Sequence, residues 1–218
     1  MKNKFLIIAA HPDDEVLGCF GTAKRLIDEG YEGYTLILGE GKTSRNEEVD
    51  NNFNEEIKKA NDTIGINEIF RLNFPDNKFD SVPLLNIVQE IEKIIQTIKP
   101  QIIFTHYEKD LNIDHQITYK ATITATRPME NCSVKEIYSF EILSSTEWAY
   151  PLSFSPDVFF DITNTLKDKI NAMRCYKSEL RNFPHPRSLE GIELNAKYMG
   201  MRVGLKAAEA FKCIRIIK

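Results

Sequence analysis

Apolar and polar positions change period in a regular order along the first half of the chain. Phe5–Ala10 is a short continuous apolar run, the pattern of a strand covered on both faces. Val16–Glu29 follows with apolar residues at Val16, Leu17, Phe20, Ala23, Leu26 and Ile27, a helical spacing that Gly30 can close. Tyr34–Leu38 reads as a second strand, 39–46 as a polar loop and Glu47–Ile64 as a charged amphipathic helix ending at Gly65. Glu68–Leu72 reads as a third strand and 74–82 as a loop. Leu84–Ile98 has apolar residues at 84, 85, 87, 88, 91, 94, 95 and 98, a helix stopped by Pro100, and Gln101–Thr105 is the next strand.

Strand and helix thus alternate, which predicts an α/β fold: a Rossmann-like, mostly parallel β-sheet with helices on both faces. The second half is less regular. Gln116–Ala125 reads as a helix, Lys135–Ile142 as a strand and Val158–Asp161 as a short edge strand. Thr163–Arg181 and Glu190–Ile214 read as helices separated by the proline-rich turn NFPHPRS. No repeat, low-complexity tract or linker interrupts 1–218, so a single domain is expected. In such sheets ligands bind outside the carboxyl ends of the strands. The loops at 11–15, 39–46, 74–81 and 106–115 all follow strands and should meet there.

Composition narrows the function classes. The chain of 218 residues is 42% hydrophobic and 28% charged, with a net charge of -4. That balance suits a soluble domain and offers no basic surface for nucleic acid. No apolar run approaches the length of a membrane span. FLIIAA is too short for the apolar core of a signal peptide and reads as the first strand. Four scattered cysteines without a CxxC pair suggest reduced thiols and a cytoplasmic location. Nothing in the pattern sets an oligomeric state, and a homo-oligomer is compatible with it.

The densest chemistry is Ala10-His11-Pro12-Asp13-Asp14-Glu15, one imidazole and three carboxylates where the first strand ends and a helix begins. Pro12 lacks an N–H and holds His11 extended. An Asp here can be no more than a helix cap, and a first-turn Glu can simply complement the helix dipole. Capping explains one acid, not three beside a histidine. A catalytic divalent ion needs about three protein ligands and an open position. His11 and Asp14 supply two. Of His106, His115 and His185, the third ligand is best sought at His115, which follows the Gln101–Thr105 strand and opens a helix. Asp114 beside it can orient an imidazole. Such a set suits Zn²⁺, and also Fe²⁺ or another divalent metal.

HPDDE after the first strand resembles the signature of the PIG-L/LmbE-like deacetylase family, which includes GlcNAc-phosphatidylinositol de-N-acetylases and the deacetylases of mycothiol and bacillithiol synthesis. DLNIDH at 110–115 resembles its second motif, and HPRSLEG at 185–191 a C-terminal stretch found in many members. The resemblance implies His11, Asp14 and His115 as metal ligands and Asp13 as general base. Some members carry a histidine where this chain has Asn112. Asparagine donates a hydrogen bond but is no cationic acid, which leaves His106, at the end of its strand in FTHYEKD, or a recycled Asp13 to protonate the leaving amine.

By the same resemblance, Arg45 in GKTSRN and Asp76 in FPDNKFD fall where substrate contacts lie, with Asp80 a weaker candidate. Each also fits an ordinary solvated loop. His185 and Arg187 lie in a loop stiffened by prolines, where Arg187 can bind an anionic group of the substrate or merely close a helix–helix turn. Trp148 can stack on a sugar face or anchor a core. The function expected is metal-dependent hydrolysis of an N-acetyl group on a small-molecule amino sugar or glycoside. Rivals are an amidase for a larger thiol-conjugate amide, a phosphoesterase, and a non-catalytic nucleotide- or sugar-binding protein. The last would have been favoured by a GxGxxG fingerprint, where this chain has HPDDE.

Overall fold

A computed structural model describes residues 2–41, 53–152 and 154–218. The elements run β1 (Lys4–Ala9), α1 (Asp14–Asp28), β2 (Glu32–Gly39), α2 (Phe53–Ile64), β3 (Glu68–Phe74), α3 (Leu84–Ile98), β4 (Ile102–His106), α4 (Ile113–Ala125), β5 (Glu136–Phe140), β6 (Val158–Asp161), α5 (Leu166–Met173), α6 (Leu189–Met201) and β7 (Ala208–Ile216). Among the described residues they form one sheet in the order β3-β2-β1-β4-β5-β7-β6. Strands β1 to β5 are mutually parallel. β7 runs antiparallel between β5 and β6. This is the expected α/β, Rossmann-like arrangement.

Apolar runs on the central strands are explained by cover on both faces. Phe5 and Ile7 of β1 face a core shared with α1, α2, α5 and α6. Leu6 and Ile8 face the opposite core under α3 and α4. Gly18 lets α1 settle on the sheet, because a Cβ there would lie 2.5 Å from the Phe140 ring. Helix α1 is broken at Cys19 (φ -154°, ψ 15°). The backbone groups released by the break find side-chain partners. Glu209 accepts from the N–H groups of Gly21 (3.0 Å) and Thr22 (2.6 Å), and Lys169 Nζ donates to the Leu17 carbonyl (2.7 Å). Lys169 and Glu209 are themselves paired at 2.6 Å, both buried.

Two sequence expectations require correction. Glu190–Ile214 is not one helix: α6 ends at Met201, a turn through Gly204 (φ 76°) follows, and β7 begins at Ala208. Ala, Glu and Lys favour helices locally, but β7 fills the slot between β5 and β6, where its backbone is hydrogen-bonded on both sides. Thr163–Arg181 is helical only over Leu166–Met173. Tyr176 then turns inward, fully buried, to donate to Glu15 Oε1 at 2.5 Å.

Candidate active site

Parallel β1, β2, β3 and β4 deliver their following loops to one edge of the sheet. A cleft of about 530 Å³ opens there, in the range typical of small-molecule sites. His11 and Asp13 reach it from the first loop, Gly41 from the second, Asp76 and Asn77 from the third, and Asn112 and His115 from the fourth. Arg45 lies outside the described residues. Ser145, Trp148, Glu179, His185 and Arg187 complete the wall from the second half. Asp80 sits in a short 3₁₀ turn (Phe79–Ser81) and does not line the cleft.

Three donor atoms converge on its floor. His11 Nδ1 is 3.3 Å from His115 Nε2 and 3.4 Å from Asp14 Oδ2, and His115 Nε2 is 3.3 Å from Asp14 Oδ2. The outer nitrogen of each imidazole faces a carboxylate. His11 Nε2 meets Asp114 Oδ2 at 3.0 Å and Asp76 Oδ1 at 3.2 Å, while His115 Nδ1 faces Asp110 Oδ1 at 3.1 Å. With protons on those outer nitrogens only, two imidazole lone pairs and a carboxylate oxygen point at one another, an arrangement that suits a cation between them. The spacing fits one. Tetrahedral coordination with bonds of about 2.0–2.1 Å has ligand–ligand edges of about 3.3–3.4 Å. These residues can therefore hold a divalent metal, as the sequence suggested.

Orienting groups are fixed in turn. Asp114 Oδ1 accepts from the Phe79 N–H (2.9 Å). Asp110 accepts from Thr146 Oγ1 at 2.5 Å, from the Asn112 N–H at 2.8 Å, and from Ser145 Oγ. Asn112 caps α4: its Oδ1 accepts from the Asp114 N–H (2.8 Å), which turns its Nδ2 toward Asn77 Oδ1 (3.3 Å) at the cleft wall.

Charge is distributed unevenly. Burial works against protonation of His11, but Asp114, Asp14 and Asp76 raise its pKa to about 10. At Asp14 burial is outweighed by His115, His106 and His11, which hold the carboxyl well below its usual range. Asp13 differs. Burial raises its pKa well above that range; Arg187 opposes the rise, and the neighbouring Asp14, Glu179 and Glu15 charges add to it. Asp13 Oδ2 lies 3.0 Å from Arg187 Nη1, which also reaches Glu179 at 3.3 Å. Asp13 does not cap α1 with its side chain, and its backbone is strained at φ 91°, ψ -26°.

Other expected site residues separate. His106 is fully buried behind the triad, stacked on His115 with centroids 4.1 Å apart. Its Nε2 accepts the Ala10 N–H at 2.8 Å, and burial and His115 push its pKa down to about 3. Its accepting nitrogen is occupied by that N–H. His185 Nδ1 accepts from the Arg187 N–H at 3.1 Å, and its ring stands edge-on to Trp148, centroids 5.8 Å apart. Sequence reasoning assigned no part to Asp110, Glu179 or Tyr176. The spacing of Asp110 five residues ahead of His115, across a helix start, was the available signal for the first.

The chain belongs to the PIG-L, GlcNAc-PI de-N-acetylase, family, whose signature matches residues 6–126. It is 26% identical over 189 residues to a probable N-acetyl-alpha-D-glucosaminyl L-malate deacetylase 2 of Bacillus cereus, covering 82% of this chain and 84% of that one. It is 25% identical over 224 residues to the diacetylchitobiose deacetylase of Thermococcus kodakarensis, covering 97% of this chain and 83% of that one. The solved 4-carboxy-2-hydroxymuconate hydratase of Pseudomonas putida has the same fold, with TM-score 0.76 at 20% identity, covering 100% of this chain and 99% of that one. Likeness at that level is likeness of fold, and a hydratase on this fold means that reaction type must be argued from the site.

Proposed function

We propose that this protein is a metal-dependent N-deacetylase acting on an N-acetylated amino sugar or glycoside. The observation that carries the reading is the His11–Asp14–His115 triad, its edges at 3.3–3.4 Å, beside a second carboxylate, Asp13, that is held off the triad by Arg187. Both named relatives, by their names, remove acetyl from N-acetylglucosamine units carrying different partners. The N-acetyl sugar is what they share. Zn²⁺ is the cation we assign, with Fe²⁺ or another divalent ion compatible with the same donors. The four free cysteines fit a reducing cytoplasm. Among the described residues no helix is long and apolar enough to cross a membrane.

His11, Asp14 and His115 would hold the ion, which when bound lowers the pKa of water and polarises a carbonyl. Asp13 takes the proton of the attacking water as general base. Burial holds its carboxyl above the usual range, which makes it a stronger base than an exposed aspartate; once protonated by the water, it is the group that returns the proton to the leaving amine. That recycling removes the need for a histidine at position 112. Asn112, with its Oδ1 fixed by the Asp114 N–H, presents Nδ2 as a neutral donor for the developing oxyanion. His106 buttresses His115. Arg187 is engaged with Asp13 and Glu179, so we assign it to holding the base; His185 and Trp148, which line the cleft, are assigned to the sugar, and Asp76, which also meets His11 Nε2 at 3.2 Å, to both His11 and the sugar.

The test is a panel of N-acetylated sugars, nucleotide sugars and glycosides, assayed for both acetate and free amine with metal-loaded wild type and Asp13→Asn. Equimolar acetate and amine are expected, with kcat lower by about 10²–10⁴ in Asp13→Asn and KM little changed. Turnover confined to a thiol-conjugate amide added to the panel would favour the amidase, and turnover confined to an added generic phosphate ester the phosphoesterase. Binding without turnover across the panel would reject the catalytic reading.

A further inference from the structure

We infer that Glu15 is a positioning residue for the proposed hydrolysis: it holds Asp13 in the turn that aims the general base into the cleft, and is itself aimed by Tyr176 and Asn61. The inference rests on the role given above to Asp13, but not on the substrate.

Asp13 has φ 91°, a backbone region that L residues other than Asn, Asp and Gly seldom visit. Such a conformer persists only where its surroundings over-determine it. The pull of α1 runs the other way. Residue 13 is the helix N-cap, and an Asp there ordinarily folds its carboxylate back onto the N–H two or three residues on. That bond is missing. In its place the Asp13 N–H donates to Glu15 Oε2 at 3.0 Å. Two residues apart, the pair forms a tight loop in which the side chain of Glu15 does the capping and the carboxylate of Asp13 is left free for Arg187, 3.0 Å away.

Glu15 is equipped for this and for little else. A first-turn glutamate that merely complements the helix dipole sits at the surface. Glu15 is fully buried. Its Oε1 accepts from Tyr176 Oη at 2.5 Å and from Asn61 Nδ2 at 3.2 Å. Asn61 is pinned by its own bonds, Nδ2 to the Ile57 carbonyl (2.9 Å) and Oδ1 from Thr35 Oγ1 (2.8 Å). A helix braced by a strand and the turn after α5 therefore converge on one carboxylate whose other oxygen grips one backbone N–H. Glu15 does not line the cleft, so it acts through Asp13.

The experiment compares Glu15→Ala, Glu15→Gln and Tyr176→Phe, each alone and on an Asp13→Asn background, in the metal-loaded enzyme. Glu15→Ala should lower kcat by about tenfold or more, the scale of a lost buried hydrogen bond, with KM and metal content unchanged. Glu15→Gln, which keeps an oxygen for the Asp13 N–H but turns an NH2 toward Tyr176 and Asn61, should recover part of the rate. On the Asp13→Asn background neither Glu15→Ala nor Tyr176→Phe should cost anything further, because the residue they serve is already disabled. Equal losses in both backgrounds would overturn the inference, as would loss of metal or a wild-type rate in Glu15→Ala. If Glu15→Ala does not fold, Tyr176→Phe, which removes one hydroxyl from a buried ring, decides by the same criteria. Crystal structures of the variants add a readout independent of turnover: residue 13 should leave positive φ in Glu15→Ala, and retention of the wild-type turn there overturns the inference. Should wild type hydrolyse no N-acetyl sugar, the functional reading falls, while the crystallographic result still decides the role of Glu15.

Discussion

Adding zinc to metal-free protein should raise its thermal midpoint by an amount that can be worked out beforehand. The donors of His11, Asp14 and His115 already stand at 3.3–3.4 Å from one another, so binding requires little rearrangement and the ion favours the folded chain alone. At free zinc about 1,000-fold above Kd this linkage contributes about 4 kcal/mol. For a chain of 218 residues each kcal/mol moves the midpoint by about 2–4 °C, giving a rise of about 8–16 °C. The assay is differential scanning fluorimetry against buffered zinc, each variant referred to its own chelated baseline. Asp14→Ala and His115→Ala each remove a ligand and should abolish the rise. Asp13→Asn removes none and should keep it. Asp114→Asn leaves the ligand set intact but weakens the group facing His11 Nε2 at 3.0 Å. Loss of such an orienting carboxylate typically costs about 10–100-fold in affinity, which trims the rise by about 3–11 °C. A full zinc response in Asp14→Ala, or none in Asp13→Asn, would show that the roles of the two neighbouring aspartates have been exchanged. No response in wild type would refute the metal centre.

Three further outcomes follow from the packing and charge. Lys169→Met leaves Glu209 buried with only the Gly21 and Thr22 N–H groups for company. Breaking a buried pair in this way costs about 3–5 kcal/mol by urea unfolding, and adding Glu209→Gln should return part of it. Gly18→Ala drives a methyl to 2.5 Å from the Phe140 ring and should cost about 1–3 kcal/mol in the same assay. Asp110, despite its burial, is held down to a pKa of about 2 from an ordinary 3.8 by His115, Ser145 and Thr146. A carboxyl with a depressed folded pKa stabilises above its unfolded value and loses that contribution as pH falls through the folded one. Metal-free wild type should therefore exceed Asp110→Asn by about 2 kcal/mol near neutrality, with the gap closing between pH 4 and 2; a gap independent of pH would contradict the assignment.

What could be read from the chain, and what could not, divides along the range of the interactions involved. The parallel strands and their helices follow from period alone, so β1 through α4 emerge from apolar spacing, and with them the meeting of His11, Gly41, Asp76 and His115 at one sheet edge. The convergence of the triad was legible because each of its donors sits in a local pattern at a strand end: HPDDE after β1, DLNIDH after β4. β7 was not, since Ala208, Glu209 and Lys212 are individually good helix residues, and only the open slot between β5 and β6 makes them a strand. Tyr176 was lost in the same way, inside a stretch of helical period, because its partner Glu15 is 161 residues away. The proposed division of labour between Asp13 and Asp14 lies deeper still. Two adjacent identical side chains have no compositional difference to read. What separates them is one torsion, φ 91° at Asp13, which turns its carboxylate to Arg187 while that of Asp14 stays with the imidazoles. That torsion is held by Glu15, and Glu15 by α2 and the turn after α5. The chemistry of HPDDE is thus written locally, but the roles within it are assigned by residues that the chain brings back from far downstream.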